Sequence, residues 1–163
     1  MNKIFIGLGS NLSDPIEQVL TAIKSLALIP ETDVVQQSSL YASPPMGPQD
    51  QPDYINAVVE LESNLTAHKL LDQLQAIEQQ QGRVRLRHWG ERTLDLDIIV
   101  YADHIIDDER LHIPHKGIAQ RSFVLYPLAE IAPELTIPKF GNITELTRHC
   151  PRAGLNKINL NLV

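Results

Sequence analysis

Residues 93–101, TLDLDIIVY, leave this chain little choice but an extended strand, because Leu94, Leu96, Ile98 and Val100 alternate with Thr93, Asp95, Asp97 and Ile99. A period of two sends both carboxylates to one face of the pleat and the leucines to the other. Like charges so placed repel, and a purely structural strand would be weakened by them unless cations neutralise the pair. Magnesium suits such a pair, since it accepts few protein oxygens and keeps room for water and phosphate. Taken by itself the motif also fits the solvated face of a half-buried strand. The preceding residues shift the balance: 82–92, GRVRLRHWGER, bring Arg83, Arg85, Arg87 and Arg92 with His88 and Trp89 among them. Guanidinium groups hold phosphate oxygens by forked hydrogen bonds, so cation and carboxylate side by side point to a polyphosphate ligand.

The rest of the chain tells what that strand packs in. Residues 2–9, NKIFIGLG, alternate as a first strand. Its terminal G-x-G lacks the third glycine of a dinucleotide site, position 12 being Leu, and is read as a glycine turn before Ser10 and Asn11. Asp14, Pro15 and Glu17 look like an N-cap, a first-turn proline and a capping-box partner. Ile16, Val19, Leu20, Ile23 and Leu26 then form one apolar helical stripe up to Pro30. Residues 32–41 read as a second strand, and 44–52, with four prolines, as a long loop of restricted backbone. In a third strand, 54–62, Ile55, Ala57, Val59 and Leu61 face the core, with Tyr54, Asn56 and Val58 opposite. A helix over 66–81 turns Leu70, Leu71, Leu74 and Ile77 inward, leaves Gln75 and Glu78 toward an edge, and ends at Gly82.

The order βαββαβ predicts an α+β fold of ferredoxin-like type: a four-stranded antiparallel sheet with both helices on one face and the other face open for a site. C-terminal additions follow: a turn or short hairpin after Tyr101, a helix over 124–131, a further helical turn within 142–149, and a strand in the tail 157–163. At 163 residues the chain is long enough for its own core and is read as one domain over 1–163. A net charge of −6 opposes general nucleic-acid binding and suits one small polyphosphate at a focused basic loop. The single cysteine, Cys150, beside Pro151, suggests a reducing compartment and a structural role. No apolar run approaches the roughly 20 residues of a membrane span, and the first residues lack the apolar length of a signal peptide. The expectation is a cytoplasmic monomer without membrane or nucleic-acid partners.

With these pieces in view the sequence resembles the 6-hydroxymethyl-7,8-dihydropterin pyrophosphokinases. The likeness spans about residues 1–135 and rests on GSN at 9–11, YASPPMGPQDQPDYIN at 41–56, GRVR at 82–85, HWGERTLDLDII at 88–99, IPH at 113–115 and RSF at 121–123. The resemblance implies transfer of pyrophosphate from ATP to the hydroxymethyl group of a reduced pterin, in folate biosynthesis, releasing AMP. It implies that Asp95 and Asp97 hold two magnesium ions and that Arg83 and Arg92 are catalytic, clamping phosphate in the closed state. Arg85, Trp89, Ile98, Arg110, His112, His115, Lys116 and Arg121 are implied for the nucleotide site. Ser43, Pro44, Pro45 and Met46 are implied to bind the pterin through loop backbone, Asn56 by its amide, and Tyr54 and Phe123 by stacking. Two positions depart from the family pattern: Lys116 stands where a tyrosine is expected and Ser43 where a threonine is. The types suit the ligand, because a pterin is a flat ring with donors and acceptors along one edge.

Some competing readings are weaker. His112 and His115 in HIPH are not a convincing zinc pair, because proline interrupts the spacing and no third histidine or cysteine is near. A regulatory module that binds nucleotide without turnover, and an RNA-binding sheet face, share some features. Two aspartates in the middle of that face oppose the latter. The only tryptophan, Trp89, lies in the glycine-flanked arginine run, and a lid that closes over the phosphates is the expectation there.

Overall fold

The structure, a computed structural model, describes residues 1–12, 14–45, 50–82 and 94–158. In chain order these form β1 (Asn2–Ser10), α1 (Pro15–Leu26), β2 (Thr32–Gln37), β3 (Tyr41–Ser43), β4 (Tyr54–Ser63), α2 (Ala67–Gln80) and β5 (Asp95–Tyr101). Then come β6 (Ile106–Asp107), β7 (His112–Ile113), α3 (Ser122–Ile131), β8 (Thr136–Ile137), β9 (Gly141–Asn142), α4 (Ile143–Arg148) and β10 (Asn156–Lys157). The main sheet is antiparallel in the order β10-β3-β4-β1-β5, with β2 also on β4. This is the ferredoxin-like arrangement expected from the βαββαβ order.

The first layer follows from the alternation. Ile4, Ile6 and Leu8 of β1, Ala57, Val59 and Leu61 of β4, and Leu96 and Ile98 of β5 meet Val19, Ile23 and Leu26 of α1 and Leu70, Leu74 and Ile77 of α2 in one buried cluster. Burial on this scale, at about 25 cal/mol per Å² of apolar surface, is what holds both helices against one face. Thr66 caps α2 by accepting the Lys69 N–H at 3.2 Å. The capping box expected at α1 does not form: Asp14 adopts φ 60° and its side chain makes no cap hydrogen bond. Pro15 does occupy the first turn, where its missing N–H costs nothing.

Two departures have local causes. The expected strand over 32–41 divides at Ser38, whose N–H reaches the Val58 carbonyl (2.8 Å) and whose hydroxyl accepts the Val58 N–H (2.9 Å). A side chain thus bridges the ladder between β2 and β3. In β5 the register slips between Phe5 and Ile6, which pair with Val100 and Ile98, so Ile99 is the extra residue of a bulge. Val100 therefore joins Ile99 on the far face instead of following Ile98.

The far face is also not open along its length. Phe5, Val58, Ile99 and Val100 pack under Val124, Leu125 and Leu128 of α3, with Ile143 and Cys150 behind them, as a second buried cluster. The C-terminal additions are its roof. Burial pushes the Cys150 thiol pKa up, consistent with the structural role expected of it. Among the described residues no helix is long and apolar enough to cross a membrane.

Candidate functional site

The roof stops short of one end of the sheet, and the uncovered end is a cleft. Its floor is β1 and β5, where Gly7 pairs with Asp97 and Gly9 with Asp95. These glycines lie inside β1, not in the turn expected from the sequence, and their missing side chains are what keep the cleft open. A Cβ on Gly9 would lie 3.3 Å from Asn56 Oδ1 and 3.7 Å from Tyr54, and one on Gly7 would press on Ile99 at 3.1 Å. Nothing in a lone G-x-G signals this role; only the register does.

Along the rim, Tyr54 and Asn56 come from β4, Ser43 and Pro44 from the end of β3, and Arg121 and Phe123 from the start of α3. Asn56 is buried, and its amide Nδ2 donates to the Ser43 hydroxyl at 2.7 Å. Ser43 thus orients the amide through its side chain, a task a threonine hydroxyl would do equally. The Arg121 guanidinium lies over the Phe123 ring, 5.8 Å from its centroid. Gly117 makes room for it, since a Cβ there would meet Arg121 Nε at 2.9 Å. The far end of the proline loop is anchored by Asn11, whose Nδ2 donates to Gln51 Oε1 (2.9 Å) and the Pro52 carbonyl (3.0 Å).

A second cleft adjoins the first at Asp97, which lines both. Its walls carry Ile98, Arg110, His112, His115 and Lys116, five of the residues that the family resemblance implies for the nucleotide site. Ile98 comes from β5, Arg110 and His112 from the hairpin β6–β7, and His115 and Lys116 from the turn after it. The hairpin is docked on α2: Arg110 Nη2 donates to Asp72 Oδ1 (2.7 Å) and Gln75 Oε1 (3.1 Å), and His68 pairs with Asp108 at 2.6 Å. Asp107, which sequence reasoning missed, contacts His112 Nδ1 (2.5 Å) and Lys116 Nζ (3.8 Å). The hydrogen bond from His112 and the charge of Lys116 hold the Asp107 carboxyl below its usual range.

His115 has a different state. Burial, with the positive charges of Arg121 and His112 nearby, lowers its pKa to about 4, so at neutral pH the ring is uncharged. Its Nδ1 accepts the Gly117 N–H at 3.2 Å, which leaves the proton on Nε2 as a donor. Glu78 is a second missed residue. It is buried rather than turned to an edge, and its carboxylate accepts the Leu96 N–H at 2.8 Å, the peptide between the two aspartates. The outer rim of β5 is thereby fixed by α2.

The structure therefore gathers Ser43, Pro44, Tyr54, Asn56, Asp95, Asp97, Arg121 and Phe123 around one cleft. Pro45 is buried beside it and does not line it. Met46, Arg83, Arg85, Trp89 and Arg92 lie outside the described residues. Asp95 and Asp97 offer two hard carboxylates beside glycines, a donor set that fits magnesium with positions left over for phosphate.

Against known proteins, residues 5–133 match a family model described as 7,8-dihydro-6-hydroxymethylpterin-pyrophosphokinase (HPPK). The 2-amino-4-hydroxy-6-hydroxymethyldihydropteridine pyrophosphokinase of Haemophilus influenzae is 52% identical over 159 residues, 98% of this chain and 99% of that one. Its namesake from Pseudomonas aeruginosa is 46% identical over 158 residues, covering 97% and 98%. Among solved structures, a Plasmodium falciparum HPPK-DHPS triple mutant with pteroate superposes with a TM-score of 0.73 over 98% of this chain at 13% identity. The chain spans 47% of that longer protein, and the likeness is one of fold.

Proposed function

The chain belongs to the 7,8-dihydro-6-hydroxymethylpterin-pyrophosphokinase family, and from that premise we infer that its two clefts hold the two substrates of one transfer. The enzyme moves pyrophosphate from ATP to 6-hydroxymethyl-7,8-dihydropterin. The pterin takes the cleft of Tyr54, Asn56 and Phe123, and ATP takes the cleft of Arg110, His112, His115 and Lys116. One observation carries this assignment: Asp97 lines both clefts, so the carboxylate pair stands where an acceptor on one side meets phosphates on the other.

The hydroxymethyl oxygen attacks the β-phosphorus, the bond from that phosphorus to the bridging oxygen of the α-phosphate breaks, and AMP departs with that oxygen. The hydroxyl proton is released. Little covalent work falls to the protein, so catalysis rests on positioning and on neutralising charge. Asn56, oriented by Ser43, reads the polar edge of the ring, and Tyr54 and Phe123 flank its faces. Neutral His115 donates from Nε2 to a phosphate oxygen, while Arg110, Lys116 and Arg121 supply positive charge. Asp95 and Asp97 are the residues that would hold two magnesium ions, which supply charge neutralisation and a lowered pKa for the attacking hydroxyl. Arg83 and Arg92 add charge to the phosphoryl group as it transfers, and Arg85 and Trp89 complete the nucleotide site. The protein works as a cytoplasmic monomer of one domain.

Asp95→Ala and Asp97→Ala test the assignment. Each should fold, bind pterin through Asn56 and the aromatic pair, and lose roughly a thousand-fold or more in turnover. Near wild-type turnover in both variants across a magnesium titration would sink it.

A further inference from the structure

Residues beyond 133 lie outside the family match, yet one turn among them touches two sides of the pterin cleft. Between Cys150 and β10 the backbone closes tightly: Ala153 and Gly154 adopt φ 53° and 85°, and the Leu155 N–H reaches the Arg152 carbonyl at 3.0 Å. That carbonyl accepts a second bond, from the Ser122 hydroxyl at 3.1 Å. Ser122 sits between Arg121 and Phe123, both of which line the cleft. The turn is held from the same side by Arg152, whose guanidinium lies 5.0 Å from the Tyr126 ring centroid and donates to the Leu155 carbonyl at 3.3 Å.

The other end of the segment belongs to the opposite element. In β10, Asn156 pairs with Ala42 and Lys157 with Tyr41, and the Ile158 N–H continues the ladder to Leu40 at 2.8 Å. β3 leads directly into Ser43 and Pro44. Gly154 lies against Pro44 so closely that a Cβ would sit 2.9 Å from Pro44 Cγ and 3.4 Å from Cδ. A proline ring is tied back to its own backbone and yields only by puckering, so a side chain at 154 presses on the loop that lines the cleft.

We propose that residues 152–155 form a strap joining the start of α3 to the end of β3, and that Gly154 and Ser122 are positioning residues that set the width of the pterin cleft. The proposal rests on the assignment of that cleft to pterin. A strap of this kind acts on one substrate: neither Gly154 nor Ser122 lines the second cleft.

Binding of 6-hydroxymethylpterin and, separately, of a non-hydrolysable ATP analogue with magnesium would be measured by calorimetry for wild type, Gly154→Ala and Ser122→Ala. Gly154→Ala should raise the pterin Kd about ten-fold, and Ser122→Ala about three-fold, with nucleotide Kd changed by less than about two-fold. In a Pro44→Ala background the Gly154→Ala penalty should largely vanish, because the atoms it presses on are gone. A penalty undiminished in that background would show backbone strain at φ 85° acting without Pro44, and would overturn the proposal. So would a lowered Tm with an unchanged pterin Kd in both variants. Failure of the wild type to bind pterin, with nucleotide binding intact, would instead overturn the assignment of the cleft.

Discussion

His115 should make the stability of this protein fall as the solution is acidified, because its ring is held among positive charges and largely away from water. Its pKa is lowered from 6.5 to about 4, first by burial and then by the charges of Arg121 and His112. Between those values the unfolded chain binds a proton that the folded protein refuses, so stability rises with pH across the window. The group's contribution is complete above pH 6.5 and is lost as pH falls through 4. With one pKa unit equivalent to 1.36 kcal/mol, the full swing is on the order of 3 kcal/mol. His115→Asn removes the titration and keeps an acceptor for the Gly117 N–H. Urea unfolding of both proteins from pH 7.5 to pH 4 cancels the groups they share. The advantage of wild type over variant should shrink by about 3 kcal/mol over that range. A constant difference, or a histidine titration near 6.5 for His115 in NMR spectra, would refute the reasoning.

Other outcomes are expected. Glu78→Ala should cost about 1–3 kcal/mol in urea unfolding, because the Leu96 N–H is left without its buried carboxylate. Gly9→Ala should raise the pterin KM more than it changes nucleotide affinity, since the new methyl meets Asn56 and Tyr54; equal effects on both substrates would count against the floor described for the cleft. Arg83→Ala and Arg92→Ala should lower kcat more than ATP affinity, and an unchanged kcat in steady-state kinetics would show them to be ground-state binders.

What the sequence made legible was whatever leaves a period. Alternation in residues 2–9, 54–62 and 93–101 and the two apolar stripes led to the right strand order and to one layer of the core. On the open face, period two put Asp95 and Asp97 side by side and Tyr54 with Asn56, but Arg110, His112, His115, Lys116 and Arg121 came only from the resemblance to the family, because they follow no local period. The bulge at Ile99 left no trace, since Ile98, Ile99 and Val100 are apolar on either face and alternation has nothing to contrast. α3 is apolar nearly all round, with Pro127 inside it, so no stripe says what it covers, and the second core went unseen. Glu78 and Asp107 look like solvated acids in sequence; their partners are a backbone N–H and a hairpin histidine, neither of which a local pattern announces. The capping box at Asp14 fails because left-handed backbone there replaces the extended geometry a capping side chain needs.

The central claim is that one site joins ATP and pterin through the β-phosphorus, and mass analysis of products tests it most directly. With magnesium, ATP and 6-hydroxymethyl-7,8-dihydropterin, the protein should yield AMP and the pterin diphosphate in equal amounts, and neither when pterin is withheld. ADP as the product, or AMP formed at the same rate without pterin, would contradict it.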